Sequence, residues 1–477
     1  MRRSTFLALA LLLSCALLLA PACSRTPERP NVVVLVLDTV RPDYLSAYGH
    51  ARPTSPVLER FAAAGTRYEQ AWSTSPWTLP AHASLFSGTL PAFHRATQST
   101  EHVAADVPLL AERLQRAGYQ TVCLTNNNWI SKSTGLDRGF ELAREQWNIR
   151  ERRRSTGAGH PTVQALREWF AGARNPERPF FVFLNLTDAH MPYLPHWEEA
   201  QPFFESKEAW SRAVSELFPD TGTALLARNY GGQPPDERQL AALRALYEGA
   251  LLRTDRIAEA LLAEVDAHGD PKNTLVFVLS DHGENLGEHG HLSHVFNLYD
   301  TNLRIALLAR GPGFAAGAHE SRPVQITDVY PTILRAAGLA PEASCVGLDL
   351  RGELPARRAL GASLERPVVS LGAFPKELLD AGLLKRFDRA LEAARWGAGK
   401  QICAEDGCQR YDLEHDPGEL RPLEALAPDL EQATAGEIAR TRALWKARTQ
   451  SEVQGSATRD AETRKGLKEL GYVGGDK

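Results

Sequence analysis

Between Thr274 and His294 the chain passes directly from an unbroken apolar run into a cluster of metal-binding side chains. Leu275 to Leu279 is short, rich in β-branched residues and bounded by polar ones, which reads as a strand buried on both faces. Asp281, His282, Glu284, Glu288, His289, His291 and His294 follow at once, and glycines at 283, 287 and 290 let the backbone turn tightly between them. An Asp-His pair at the carboxyl end of a buried strand is a metal-ligand pair on a rigid mount. A solvated loop rich in acids and histidines is the plainer alternative, but four of the chain's 14 histidines fall here.

The pattern repeats. Asn31 to Leu37 ends at Asp38-Thr39, Thr121 to Leu124 ends at Asn126-Asn127, and Phe180 to Leu184 leads to Asp188-Ala-His190. Helical periodicities separate these runs over Pro56 to Ala64, Val107 to Ala117 (stopped by Gly118), Thr162 to Ala171 and Glu237 to Ala267. Alternating strands and helices predict an α/β fold, a mostly parallel sheet sandwiched by helices. Ligands bind such sheets at the carboxyl ends of the strands, so four polar strand ends predict one shared site.

The N-terminus reads as a leader and not as part of the fold. Arg2-Arg3, the apolar segment Phe6 to Ala20, and then Pro21-Ala22-Cys23 follow the order of a secretory signal. Cys23 directly after Ala22 resembles a bacterial lipoprotein site, with plain cleavage or an uncleaved anchor as alternatives. The expectation is an exported protein, periplasmic or in the cell envelope of a bacterium, held to the membrane by a lipid on Cys23. Residues 24–30 read as a tether. A net charge of -4 leaves no whole-chain footprint for nucleic acid, and none is expected as a partner. Export permits disulfides, and Cys403-Ala-Glu-Asp-Gly-Cys408 could close a hairpin turn.

In Thr74 to Gly88, Thr78 reads as an N-cap, Pro80 falls in the first turn and Gly88 stops the helix. Thr78 thus stands at a helix N-terminus, where backbone N–H groups and the dipole favour an anion. For an isolated threonine, capping alone is the ordinary meaning.

Six stretches together resemble the sulfatase family of the alkaline phosphatase superfamily: Val34 to Asp43, Thr78 to Gly88, Asp188 to Tyr193, Asp281 to Gly290, Thr327 to Thr332 and Tyr411 to Glu419. The tail Glu469-Leu-Gly-Tyr472 also recurs in similar proteins. The resemblance implies an alkaline-phosphatase-like catalytic domain over residues 31–346, a smaller C-terminal α+β subdomain over 347–427, and a helix with a polar tail over 428–477. It implies that Asp38, Asp281 and His282 hold one divalent metal, calcium in the family, with zinc or manganese also compatible. Thr78 falls on the nucleophile position, and His190 and His294 on histidines that grip the sulfate or phosphate group and the leaving oxygen.

This sequence also departs from the family. Thr78 stands where Cys or Ser is converted to formylglycine, and threonine cannot become that aldehyde hydrate. His82 replaces a motif arginine, Thr39 a further metal carboxylate and Ser293 a lysine, while Asn126-Asn127 lie near where another lysine is expected.

A threonine hydroxyl needs a metal or a base to become a nucleophile. Attack on phosphorus gives a phospho-threonine that water can hydrolyse, whereas a sulfo-threonine lacks the second hydroxyl through which formylglycine enzymes expel sulfate. The residues therefore favour phosphate mono- or diester chemistry over sulfate-ester chemistry. Asp188, His190 and His294 have the right ligand types for a second metal. Otherwise the two histidines act as general acids or oxygen donors. His82, one helical turn beyond Thr78, faces the same site or simply packs.

Expected substrates are small-molecule, glycan or lipid esters. A phospho-group transferase on a lipid or glycan carrier, or an inactive binding protein with the same fold, are the alternatives. In the C-terminal region Val368 to Leu371, Gln401 to Cys403 and Gln409 to Leu413 are expected strands, and Leu430 to Ala447 a helix.

Overall fold

The computed structural model describes residues 29–145, 154–219, 234–365 and 389–449, together with 225, 228–230 and 387. The leader, Cys23, most of the tether, the expected strand at Val368 to Leu371 and the polar tail lie outside the described residues.

Eight strands form the main sheet: β1 (Asn31–Leu37), β2 (Thr66–Tyr68), β3 (Gln120–Thr125), β4 (Leu142–Glu145), β5 (Phe180–Leu186), β6 (Thr274–Leu279), β7 (Leu307–Arg310) and β8 (Ala318–Glu320). Their spatial order is β8-β2-β7-β6-β1-β5-β3-β4, and only β7 runs against the others. The central strand β1 lies between β5 and β6, with Leu37 beside Leu186 and Val36 beside Leu279. That register brings the carboxyl ends of all three strands to one level.

The apolar runs are continuous because both faces of the sheet are buried. Val32, Val34 and Val36 enter one core with Phe181, Phe183 and Phe277. Val33, Leu35 and Leu37 enter the other with Val182, Leu184 and Val276. The helix α2 (Thr78–Ser87) covers the first face, and α1 (Pro56–Ala63) and the long α3 (Glu237–His268) cover the second.

Two boundaries differ from expectation for local reasons. The helix expected from Val107 begins at Leu110. Pro108 disfavours helical backbone at Val107, and Glu112 reaches back to the Leu109 N–H at 2.9 Å, which sets the start. Thr78 is the first residue of α2 and not its cap; Trp77 takes that place in extended conformation, with no side-chain capping bond. The Thr78 hydroxyl is therefore left for the strand ends.

The C-terminal subdomain is an antiparallel meander of β9 (Ala359–Leu364), β10 (Leu391–Trp396), β11 (Gly399–Ala404) and β12 (Gly407–Asp412), packed beside α4 (Pro428–Thr449). β11 and β12 fall on the expected strands, and a Cys403–Cys408 disulfide joins directly paired positions of that hairpin. β9 and β10 had no counterpart in the sequence reading.

Candidate active site

Asp38 leaves the end of β1, and Asp281 and His282 leave the end of β6; all three are fully buried. One ligand atom from each lies within 4.8 Å of the others. His282 Nδ1 donates to the Gly283 carbonyl at 2.9 Å, so the lone pair of Nε2 is the atom turned toward the carboxylates. It stands 3.4 Å from Asp281 Oδ2 and 3.9 Å from Asp38 Oδ1. Neither of those two carboxylate oxygens has a hydrogen-bond partner. Burial, and then the Asp38 charge, push the Asp281 carboxyl well above its ordinary range. Burial, and then His294, hold the His282 imidazole well below its own. Two orphaned carboxylate oxygens and an imidazole lone pair converging in a fully buried position repel one another. Bound divalent cation relieves that repulsion, and the donor set fits calcium, manganese or zinc.

Thr78 Oγ1 is 3.5 Å from His282 Nε2, so α2 delivers its first hydroxyl to the same point. Asn127, at the end of β3, completes the arrangement. Its Oδ1 accepts from the Trp129 N–H at 3.0 Å, which assigns the amide orientation. Its Nδ2 then reaches Asp38 Oδ2 at 2.7 Å and Thr78 Oγ1 at 3.3 Å. The sequence placed Asn127 near a missing lysine, and the structure makes it a donor to both Asp38 and Thr78.

His82, which the sequence left either facing the site or packing, both lies beside the cluster and packs. Its Nδ1 bonds the Thr78 carbonyl at 2.9 Å and lies 3.5 Å from Asp281 Oδ2. Its ring packs edge-on between Phe86 and Phe183. Burial lowers its proton affinity, so it stands as a neutral spacer where an arginine would bring charge. Thr39 does not turn its hydroxyl toward the ligand cluster. That oxygen is 2.7 Å from the Asp38 carbonyl and 3.1 Å from the Ala189 carbonyl, at a left-handed φ of 61°.

His190 and His294 come together with ring centroids 5.0 Å apart, and His294 lies 4.6 Å from His282. Glu284 Oε1 bonds His294 Nδ1 at 3.1 Å, and His190 Nδ1 donates to the Met191 carbonyl at 2.7 Å. Each ring thus has one nitrogen engaged by protein. Asp188, expected with them in a second metal site, points elsewhere. Its carboxylate pairs with Arg253 at 3.1 Å and lies 3.4 Å from His160. The reason is electrostatic: the guanidinium of Arg253 is buried on α3 and needs that counter-charge.

Residues 30–339 match the family model described as Sulfatase. The chain is 25% identical to a choline-sulfatase of Rhizobium meliloti (strain 1021), over 92% of this chain and 91% of that one. It is 24% identical to arylsulfatase K of Homo sapiens, over 85% and 81%. Among solved structures, one in complex with its substrate D-glucosamine-2-N,6-O-disulfate superposes with a TM-score of 0.67 at 17% identity, covering 90% of this chain and 100% of that one. A phosphonate monoester hydrolase of Agrobacterium radiobacter gives 0.66 at 21% identity, covering 88% and 96%. At those identities the two structures speak for the fold.

Proposed function

The chain belongs to the sulfatase family of ester hydrolases, and from that premise we propose that it cleaves phosphate mono- or diesters with Thr78 as nucleophile beside one divalent cation held by Asp38, Asp281 and His282. The observation that carries this reading is the Thr78 hydroxyl, seated 3.5 Å from His282 Nε2 and 3.3 Å from the Asn127 amide. When bound, the cation supplies positive charge that lowers the proton affinity of the hydroxyl and of the substrate oxygens. Calcium is the first candidate by family likeness.

The chain's own residues divide the remaining work. The N-terminus of α2 points its dipole at the reacting oxygen and favours negative charge there. Asn127 Nδ2 can follow charge from the hydroxyl to a phosphoryl oxygen. Thr78 Oγ1 attacks phosphorus and gives up its proton, the ester oxygen leaves, and a phospho-threonine remains, still carrying the second ester when the substrate is a diester. His294, fixed by Glu284, and His190 are placed to relay the Thr78 proton to that leaving oxygen and afterwards to take a proton from the water that cleaves the phospho-threonine. The same attack on a sulfate ester would end at a sulfo-threonine, which has no geminal hydroxyl to expel sulfate. This is why phosphorus is favoured within a family whose relatives bear sulfatase names.

The leader from Met1 to Cys23 supports export and a lipid anchor on Cys23. None of the described helices is long and apolar enough to cross a membrane. Aryl phosphate, aryl phosphodiester and aryl sulfate, each offered to wild type and Thr78→Ala, test the reading. Thr78-dependent turnover of the phosphorus esters supports it; Thr78-dependent turnover of the sulfate alone overturns it.

A further inference from the structure

Thr39 is a β-branched residue held at a φ of 61°, a region that such side chains rarely enter. The conformation has a visible consequence. It turns the Thr39 N–H toward Asp281, whose Oδ1 accepts it at 3.3 Å. The other oxygen of the same carboxylate is the unpartnered one beside His282. The His282 N–H donates to the same Oδ1 at 2.9 Å, so Thr39 and His282 together fix which oxygen of Asp281 is turned into the ligand cluster, although Thr39 offers no ligand atom of its own.

Beside its own hydroxyl's bonds to the Asp38 and Ala189 carbonyls, Thr39 is held in that conformation from a distant part of the chain. Tyr247, in the middle of α3, is fully buried, and its ring packs edge-on against Tyr44 and Tyr193. Its hydroxyl donates to the Thr39 carbonyl at 2.7 Å and accepts from the Arg41 N–H at 2.9 Å. One phenolic oxygen therefore closes both ends of the turn that follows Asp38. Arg41 carries the tie across to the second ligand loop, donating to the Glu284 carbonyl at 3.0 Å and to Glu288 at 2.8 Å.

We infer that Tyr247 is a positioning residue for the metal centre: through its hydroxyl it holds Thr39 in the left-handed turn whose N–H orients Asp281. The inference rests on Asp38, Asp281 and His282 being metal ligands. Groups that orient ligands in this way change metal affinity by about 10- to 100-fold when removed. A general structural role would instead lower stability without a selective effect on the cation.

The test is calorimetric titration of metal-free protein with calcium and with manganese, and melting of the metal-free protein alongside. Tyr247→Phe keeps the ring and removes the oxygen; it should weaken cation binding about 10-fold or more. Tyr247→Phe combined with Thr39→Gly should regain most of that loss, because glycine enters the left-handed region without assistance. Wild-type affinity in Tyr247→Phe overturns the inference, as does a loss that Thr39→Gly leaves unrelieved. If Tyr247→Phe fails to fold, recovery of folding and binding in the double variant supports the inference, and continued failure overturns it. Wild-type protein that binds neither cation, nor zinc in a parallel titration, or that binds them equally well with Asp281→Ala, refutes the metal reading itself and is separate from either result.

Discussion

The side-chain amide of Asn127 lies 2.7 Å from Asp38 Oδ2, and the same nitrogen lies 3.3 Å from Thr78 Oγ1. A neutral donor thus spans Asp38 and Thr78. Replacing it by alanine should lower kcat by about 100-fold, the usual effect of removing one donor from such a site. Asn127→Asp should cost more, because it places a third carboxylate against Asp38. Steady-state kinetics on the best phosphorus ester, with melting temperatures as control, check both.

The buried carboxylates of Asp38 and Asp281 make a second prediction. Removing divalent cations with a chelator should abolish turnover and lower the melting temperature. Saturation at about 100 times the dissociation constant should return roughly 2.7 kcal/mol of stability. Asp281→Asn should show the reverse pattern. Its metal-free form should melt at or above metal-free wild type, since a neutral amide ends the carboxylate repulsion, but added cation should stabilise it far less. Thermal melts with and without calcium read both effects.

Asp255 carries a pH-dependent share of stability. Its carboxylate accepts the Val57 and Leu58 N–H groups at 2.9 and 3.0 Å and so caps α1 from α3. Burial pushes its carboxyl from the ordinary 3.8 up to about 7. Between those two values the native state binds the proton that the unfolded chain has released, so stability falls as pH rises through that window and levels above it. In Asp255→Asn this component should vanish. Denaturant melts across the window should show a smaller downward slope for the variant than for wild type.

Lys400 ties the two parts of the molecule together. It is buried and bridges Asp300 at 2.6 Å, from the catalytic domain, to Glu419 at 2.7 Å. Burial alone would raise the Asp300 carboxyl, but Lys400 and Arg395 hold it at about 2. Lys400→Met leaves two buried acids without that cation and should cost about 3–5 kcal/mol in denaturant unfolding.

How much of this was legible depends on the range over which each signal acts. The apolar runs at β1, β3, β5 and β6 announced the sheet because burial on both faces erases alternation. Asp38, Asp281 and His282 were legible because each directly follows such a run. β10 was not, since Leu391-Glu-Ala-Ala-Arg-Trp396 carries helix-forming residues and becomes a strand only through its neighbours in the meander. Asn127 and Tyr247 act on partners 89 and 208 residues away, and neither an amide nor a phenol marks a metal site by type. Asp188 was one possible ligand of a second metal, but adjacency to His190 in sequence says nothing about direction; its carboxylate pairs with the buried Arg253, 65 residues on.

The central claim is that Thr78 becomes covalently phosphorylated during turnover. Wild-type protein mixed with an aryl phosphodiester or phosphomonoester, quenched in acid within one turnover and digested for mass spectrometry, measures this directly. The account predicts one added phosphoryl group on the peptide that contains Thr78 from the monoester, and the same group still carrying its second ester from the diester, both absent in Thr78→Ala. Turnover at full rate with Thr78 unmodified at every quench time, or undiminished turnover by Thr78→Ala, would contradict it.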